Sequence, residues 1–242
     1  MKNSTYNDDE VLFKKVNEMF ANSSFEYWIC HGTLLGIIRD KKILSWDHDI
    51  DFAVWKDEVS IKNIEKLFKK NGFKQELIFG EEDCLHFKSN TKTIDISFYD
   101  RKDGLASIKW IAPSNKIKNK VQYFIANRIC QPKSVEDTKL NFKNIKSIIV
   151  YFFTKFLLLI EPLIPLRIKK QIYKQVEKNF YYTGYSYPID LMKFKKIKFL
   201  NDNIPVPIDS KKCLSLTYGK DWETPKKNYI WYDEAENLTR LK

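Results

Sequence analysis

Between Tyr27 and Trp55 the chain reads YWICHGTLLGIIRDKKILSWDHDIDFAVW, with aspartates at the alternate positions Asp47, Asp49 and Asp51. A period of two places them on one face of an extended strand. The other face then carries Ile50, Phe52 and Val54, which suits a sheet packed on a core. The stretch predicts a strand with one apolar side and one row of carboxylates. Aspartate is disfavoured in strands, and like charges this close raise one another's pKa unless a cation neutralises them. Hard oxygen ligands in a row suit Mg²⁺ or Mn²⁺. A solvated acidic loop is the competing reading, and the apolar alternation weighs against it. An EF-hand calcium loop is excluded by Phe52, which takes the place of the glycine such a loop requires.

A chain of 242 residues can bury a full core. Its net charge of +11 favours polyanionic partners: nucleic acid, nucleotide phosphates, anionic lipid or a phosphorylated glycan. Cys30, Cys84, Cys130 and Cys213 are far apart and form no CxxC pair, so spacing gives no support for zinc. They are expected to be reduced thiols of a cytosolic protein. The polar, acidic start MKNSTYNDDE is unlike a secretory signal.

Read in order, Asp8–Phe20 predicts a helix with an acidic first turn and an inner stripe of Leu12, Val16, Met19 and Phe20. A strand is expected at Glu26–Cys30, and a short buried helix at Thr33–Arg39. A second helix is expected over Ser60–Asn71, capped by Ser60, with Ile61, Ile64, Leu67 and Phe68 facing inward. Short strands follow at about Lys74–Phe79, Cys84–Lys88, Thr93–Tyr99 and Ala106–Ile111. In Thr93–Tyr99, Asp95 points away from Ile94, Ile96 and Phe98. Strands lie about 4.8 Å apart, so pairing this strand with the first would bring Asp49, Asp51 and Asp95 together. That is the scale of a phosphoryl-transfer site, whose paired metal ions sit roughly 3.5–4 Å apart. Of the nearby histidines, His48 falls on the core-facing side and His31 abuts the turn.

The run Ile148–Ile168 is apolar but interrupted by Lys155, Glu161, Pro162 and Pro165. Lys139, Lys143 and Lys146 flank it on one side, and Arg167, Lys169, Lys170, Lys174 and Lys178 on the other. A helix dipping into an anionic leaflet fits this pattern, and a buried core helix fits it about as well. Beyond it the sequence predicts a strand at Lys195–Leu200 and a turn at Ile204–Pro207.

Gly32-Thr33-Leu34-Leu35-Gly36-Ile37-Ile38-Arg39, followed by Trp46-Asp47-His48-Asp49-Ile50-Asp51, resembles the mark of the LicD/fukutin-related family of the nucleotidyltransferase superfamily. Val206-Pro207 and the run Tyr218–Pro225 look like that family's C-terminal mark. The resemblance anchors about 25–100 and 195–230. It implies an α/β nucleotidyltransferase-like fold: a small mixed sheet carrying the acids, flanking helices and a helical C-terminal appendage. The organisation expected is a catalytic core over 1–115, a helical basic and apolar segment over 116–190, and a part completing the fold over 191–242. The resemblance further implies a transferase moving phosphocholine or an alditol phosphate from a CDP-activated donor to a glycan or lipid-linked glycan. Asp49, Asp51 and Asp95 would be catalytic. Asp47, Asp49, Asp51 and Asp95 would ligate Mg²⁺ or Mn²⁺, and Gly32, Thr33 and Arg39 would hold donor phosphates. Nucleic acid is not expected as a partner. The expected place is cytoplasmic, peripheral at the inner face of the cell membrane. Two rivals stand beside this reading: nucleotidyl transfer to a small molecule, and a non-enzymatic protein binding a polyanion or a membrane. Three unused carboxylates would weaken polyanion binding, which argues against the second.

Overall fold

A computed structural model of the chain describes residues 6–76, 83–113, 116–130, 145–226, 229 and 234–241. In order, the elements are α1 (Asp8–Ala21), β1 (Tyr27–Ile29), α2 (His31–Leu35) running into a π-helical turn (Gly36–Asp40), β2 (Asp49–Trp55), α3 (Ile61–Lys70), β3 (Lys74–Glu76), β4 (Cys84–Lys88), β5 (Thr93–Lys102), β6 (Leu105–Ser107) and β7 (Trp110–Pro113). Helices α4 (Ile117–Cys130), α5 (Ile145–Ile160) and α6 (Leu166–Glu177) follow, then β8 (Phe180–Pro188), β9 (Phe194–Phe199), β10 (Asp202–Pro207), α7 (Ser210–Tyr218) and β11 (Leu238–Leu241). The described residues form two units, one drawn from within 1–76, 82–110 and 183–240, the other mainly from 111–182.

The first unit is α/β and built on a mixed sheet, broader than the small sheet expected. Its order is β1-β2-β5-β6-β8-β11, with β4 on β5 and β3 on β4. β2 and β5 run parallel, while β1 pairs β2 and β4 pairs β5 in antiparallel sense. The alternation in the sequence sets the two faces. Ile29, Ile50, Phe52, Ile96 and Phe87 lie in one core with α1 and α3. Phe13 and Phe20 of α1 stack on Phe52 at 5.6 and 5.4 Å, and Phe68 of α3 stacks on Phe87 at 4.0 Å. Each such ring contributes about 1.5–3 kcal/mol by burial. Trp28, Ala53 and Trp55 face the other way, against Tyr185, Tyr187 and Met192. The acids share this second face.

The three predicted helices of this unit form, the short one at Thr33–Arg39 as α2 and the π-helical turn after it. α1 opens on a capping box in which the Asn7 side chain accepts from the Glu10 amide and the Glu10 carboxylate accepts from the Asn7 amide. α3 is capped by Ser60, as read from the sequence. Ile61 is a correction: placed on the inner stripe, it is 39% exposed, because the first turn of α3 projects past the core. His48 is another, since β2 begins at Asp49 and the exposed His48 is outside its alternation.

The strand expected to end at Tyr99 continues to Lys102 and turns back into β6 through Asp103 and Gly104, both at positive φ. Asp-Gly is a strong hairpin signal. The strand expected over Ala106–Ile111 is two strands, β6 and β7. Of the strand expected at Lys74–Phe79, residues 77–79 lie outside the described residues. The turn expected at Ile204–Pro207 is instead strand β10, paired antiparallel with β9. Proline is tolerated there because this two-stranded sheet is all edge. The reversal comes earlier, at Leu200 and Asn201, with φ of 47° and 69°. β8 has no counterpart in the sequence reading. Its Gly184 is demanded by packing, since a Cβ there would stand 1.7 Å from the Ile108 carbonyl oxygen.

The second unit holds α4, α5 and α6. Its core gathers Ile111, Ile129, Cys130, Leu157 and Tyr173, and Lys169 pairs with Glu161 beneath the turn between α5 and α6. No helix among the described residues is long and apolar enough to cross a membrane. Lys139 and Lys143 lie outside the described residues.

Candidate functional site

Register builds the site. β2 and β5 align Asp51 directly with Asp95, β4 brings His86 opposite Asp95, and the Cys30 amide reaches the Asp51 carbonyl at 3.5 Å. Cys30, Asp51, Asp95 and His86 therefore form one row across four strands. Asp49 is two residues from Asp51 on the same strand face, and Asp47 is in the loop entering β2. Ligand atoms of Asp47, Asp49 and Asp51 all lie within 4.8 Å of one another.

Three residues fix this cluster. Thr33, at the start of the glycine-rich run, clasps Asp51. Its amide and hydroxyl donate to Asp51 Oδ2 at 3.1 and 3.3 Å, and its hydroxyl accepts the Asp51 amide at 2.7 Å. Gly32 makes room, because a Cβ there would stand 2.1 Å from Asp47 Oδ2 and 3.5 Å from Asp51 Oδ2. Lys92, buried, sends its ammonium to the carbonyls of Leu44 (3.0 Å) and Asp47 and to the Asp9 carboxylate at 3.5 Å. It thereby secures the loop that carries Asp47, and its charge opposes part of the upward shift of the Asp47 carboxyl.

The electrostatics show what the cluster lacks. Burial, then the Asp49 charge, pushes the Asp47 carboxyl up to about 8. Burial also holds the Asp51 carboxyl well above the usual range, with Asp49, Asp47 and Asp95 adding to the effect and the Thr33 amide opposing it. Among the described residues, no Lys or Arg side chain pairs with the carboxylates of Asp47, Asp49 or Asp51. Three crowded, desolvated carboxylates with no cation of the protein on them fit a hard divalent ion by donor chemistry.

Asp95 is in line with Asp51, but its Oδ1 is 2.8 Å from His86 Nδ1, and it groups with His86 and Cys84 rather than with the other three acids. Arg39 is engaged by protein: Nε and Nη2 donate to the two Asp40 carboxylate oxygens at 2.8 and 3.0 Å, and Nη1 donates to the Trp222 carbonyl at 3.4 Å. That last bond joins the glycine-rich run to the C-terminal run Tyr218–Pro225, where Trp222 is buried in the core.

The fold adds three neighbours that the sequence reading does not assign to the site: His31, His86 and Tyr218. His31 holds φ at 46°. Its ring sits among Tyr99, Trp110 and Tyr185, and burial pushes it down to about 3, so it is neutral. The Tyr218 hydroxyl, at the end of α7, is held above its usual range by burial first, then by Tyr185, Asp51 and Asp47. His86 could have been flagged by its alternation with Cys84 just before the Asp95 strand. Tyr218 could have been placed only by the tertiary fold.

Residues 24–135 match the model of the LicD/FKTN/FKRP family, nucleotidyltransferase domain. The chain carries a LicD-family domain. That stretch takes in Gly32, Thr33, all four acids and His86, so the family match and the acidic site coincide. The reaction class of such a domain is group transfer. Among curated proteins, the chain is 34% identical over 64 residues to an uncharacterized protein of Rickettsia typhi, covering 26% of this chain and 21% of that one. It is 33% identical over 63 residues to another of Rickettsia prowazekii, covering 26% of this chain and 24% of that one. The matches thus span under a quarter of those relatives' length. Among solved structures, it is similar to a lincosamide antibiotic adenylyltransferase with lincomycin bound, at 11% identity and a TM-score of 0.41, covering 87% of this chain and 86% of that one. It is also similar to ANT(2″)-Ia in complex with adenylyl-2″-tobramycin, at 14% identity and a TM-score of 0.34, covering 71% and 98%.

Proposed function

We propose that this LicD-family chain is a metal-dependent transferase that moves a phosphate-linked substituent, phosphocholine or an alditol phosphate, from a CDP-activated donor to a glycan hydroxyl. The observation that carries the reading is the cluster of Asp47, Asp49 and Asp51 beside Asp95, crowded, partly desolvated and, among the described residues, unpaired with any Lys or Arg. Asp47, Asp49 and Asp51 would hold Mg²⁺ or Mn²⁺, which when bound supplies charge neutralisation for a diphosphate. Asp95, positioned by His86, accepts the proton of the acceptor hydroxyl as its oxygen bonds to phosphorus. The bond from that phosphorus to the CMP oxygen breaks, and CMP leaves. Thr33 keeps Asp51 oriented, and Gly32 keeps the entrance to the acids open at Asp47. The Arg39 fork is occupied by Asp40, so any contact of Arg39 with donor phosphate would need that pair to open. The acceptor would be a glycan or lipid-linked glycan met at the cytosolic face of the membrane.

A second reading keeps the site and changes the bond broken. The matched domain is described as a nucleotidyltransferase domain, and a nucleotidyl group could pass to a small molecule with release of pyrophosphate. One assay separates the two. The protein is incubated with CDP-choline, CDP-ribitol, CDP-glycerol or CDP-ethanolamine, a saccharide acceptor and divalent metal. CMP release supports phospho-substituent transfer. Release of pyrophosphate from nucleoside triphosphates, with no CMP from any CDP donor, supports the second reading and overturns the first.

A further inference from the structure

Helix α5 leaves a full apolar stripe uncovered within its own unit. Ile145, Ile149, Phe152, Phe156 and Leu159 recur at spacings of four and three, which is one face of a helix, and Leu163 follows in the 3₁₀ turn after it. Every one of them is exposed, with Phe152 at 62%, Phe156 at 56% and Leu159 at 75%. The opposite side of α5 is spent on the unit's core through Thr154 and Leu157. Isolated exposed apolar residues are ordinary, but a contiguous stripe marks a docking surface.

Charge says what docks. Where the stripe ends, Arg167, Lys170 and Lys174 follow on α6, and with Leu166 and Gln171 they line a shallow surface depression. Among described residues 111–182 there are eleven Lys and Arg and two acids. Glu161 is paired with Lys169, and Glu177 accepts the Tyr182 hydroxyl at 2.7 Å. A second copy of this chain would bring a like-charged row against the first and has no spare acid in these helices to answer it. An apolar stripe with cations beside it matches an anionic lipid surface, where burial and headgroup attraction act together. α5 has 16 residues, short of the roughly 20 needed to span a bilayer, so it lies in the surface.

We infer that α5 and the start of α6 form a docking face for an anionic phospholipid bilayer, with the α5 stripe at the acyl boundary and Arg167, Lys170 and Lys174 on headgroup phosphates. This inference is independent of the transfer reaction.

The test is flotation of the full chain with phosphatidylcholine vesicles, with and without phosphatidylglycerol. The wild type should float with anionic vesicles and not with neutral ones, and high salt should reverse the binding only in part. Phe152→Ser with Phe156→Ser should weaken binding by at least about tenfold with an unchanged melting temperature. Arg167→Gln, Lys170→Gln and Lys174→Gln should each weaken it about fivefold and lessen its salt dependence. If the double variant fails to fold, Leu159→Gln gives the same reading. Inorganic phosphate should displace the protein no better than chloride at equal ionic strength; better displacement would mean a free-phosphate site and overturn the proposal. It is also overturned if the wild type stays off anionic vesicles, or if the Phe variants bind like the wild type. A dimer in light scattering that the Phe variants convert to monomer, with no vesicle binding, would assign the stripe to a second copy instead.

Discussion

At the start of β2, Asp47, Asp49 and Asp51 are crowded together and partly desolvated, and no Lys or Arg side chain among the described residues pairs with them. On α5, Phe152, Phe156 and Leu159 are each more than half exposed to water. The first arrangement withholds hydration from charge, at an effective cost of several kcal/mol per ion. The second forgoes burial worth about 1.5–3 kcal/mol per large side chain. Each is an unmet demand, and each names its remedy by chemistry: a hard divalent cation for the one, an anionic lipid surface for the other. They differ in how firmly they are held. The acids are set by sheet register, by Thr33 on Asp51 and by Lys92 on the loop of Asp47. The stripe is set only by helical spacing and by the core behind it. The acidic site should therefore be sensitive to small changes in its supports, and the stripe should be indifferent to its own loss until lipid is present.

The largest effect is expected at the acids. Asp49→Asn or Asp51→Asn should lower turnover by at least ~10³ while the fold persists, because neither side chain faces the α1–α3 core. Near-normal CMP release from either variant at saturating metal would detach the cluster from catalysis.

Thr33→Val should come next. It removes one donor to Asp51 and the acceptor of the Asp51 amide. Divalent-metal affinity measured by calorimetry should fall by about 10–100-fold, and stability by about 1–3 kcal/mol for the stranded amide. An unchanged affinity would show that the clasp does not orient Asp51.

The pH dependence is smaller and has a definite sign. In the metal-free protein, burial and Asp49 push the Asp47 carboxyl up to about 8, while the unfolded chain titrates near ~3.9. Folded protein therefore holds a proton that unfolded protein gives up. This contribution to stability is fully present below the unfolded value and is lost as pH rises towards about 8. The melting temperature of wild type relative to Asp47→Asn should decline across that window, and saturating Mg²⁺ should abolish the decline. A flat difference without metal would mean that Asp47 is well solvated.

The smallest effect belongs to the stripe. Phe152→Ser should change stability by no more than about 0.5 kcal/mol. Leu157→Ser, five residues on and 4% exposed, should cost roughly 2–5 kcal/mol. Equal losses in a denaturant titration would make the stripe part of a core, and the contrast between the two regions would collapse.

Sequence by itself determined what local periodicity and capping can encode. The alternation of Asp49 and Asp51 with Ile50, Phe52 and Val54 divided β2 into an acidic face and an apolar face, because a strand has no other way to divide those residues; that Ala53 and Trp55 bury the acidic face against a second core came from the fold. Asn7 with Glu10, and Ser60 before α3, placed two helix starts through hydrogen bonds spanning three residues. The glycine-rich run and the acidic run were legible together as a family resemblance. Other features depend on partners far along the chain. That Asp51 meets Asp95 in parallel register, with His86 on its far side, is a property of three strands and appears in none of them alone. The family resemblance implied phosphate ligands at Thr33 and Arg39, and only the fold showed that Asp51 and Asp40 already occupy them. Pro205 and Pro207 read as a turn because proline is excluded from central strands; among the described residues β9 and β10 form a sheet of two strands, both of them edges, which made a strand admissible. The segment from Ile148 was poised between core helix and membrane face for the same reason. Apolar periodicity states that one side must leave water, and the tertiary structure decided which side was covered: Thr154 and Leu157 are buried, while Phe152 and Phe156 are not.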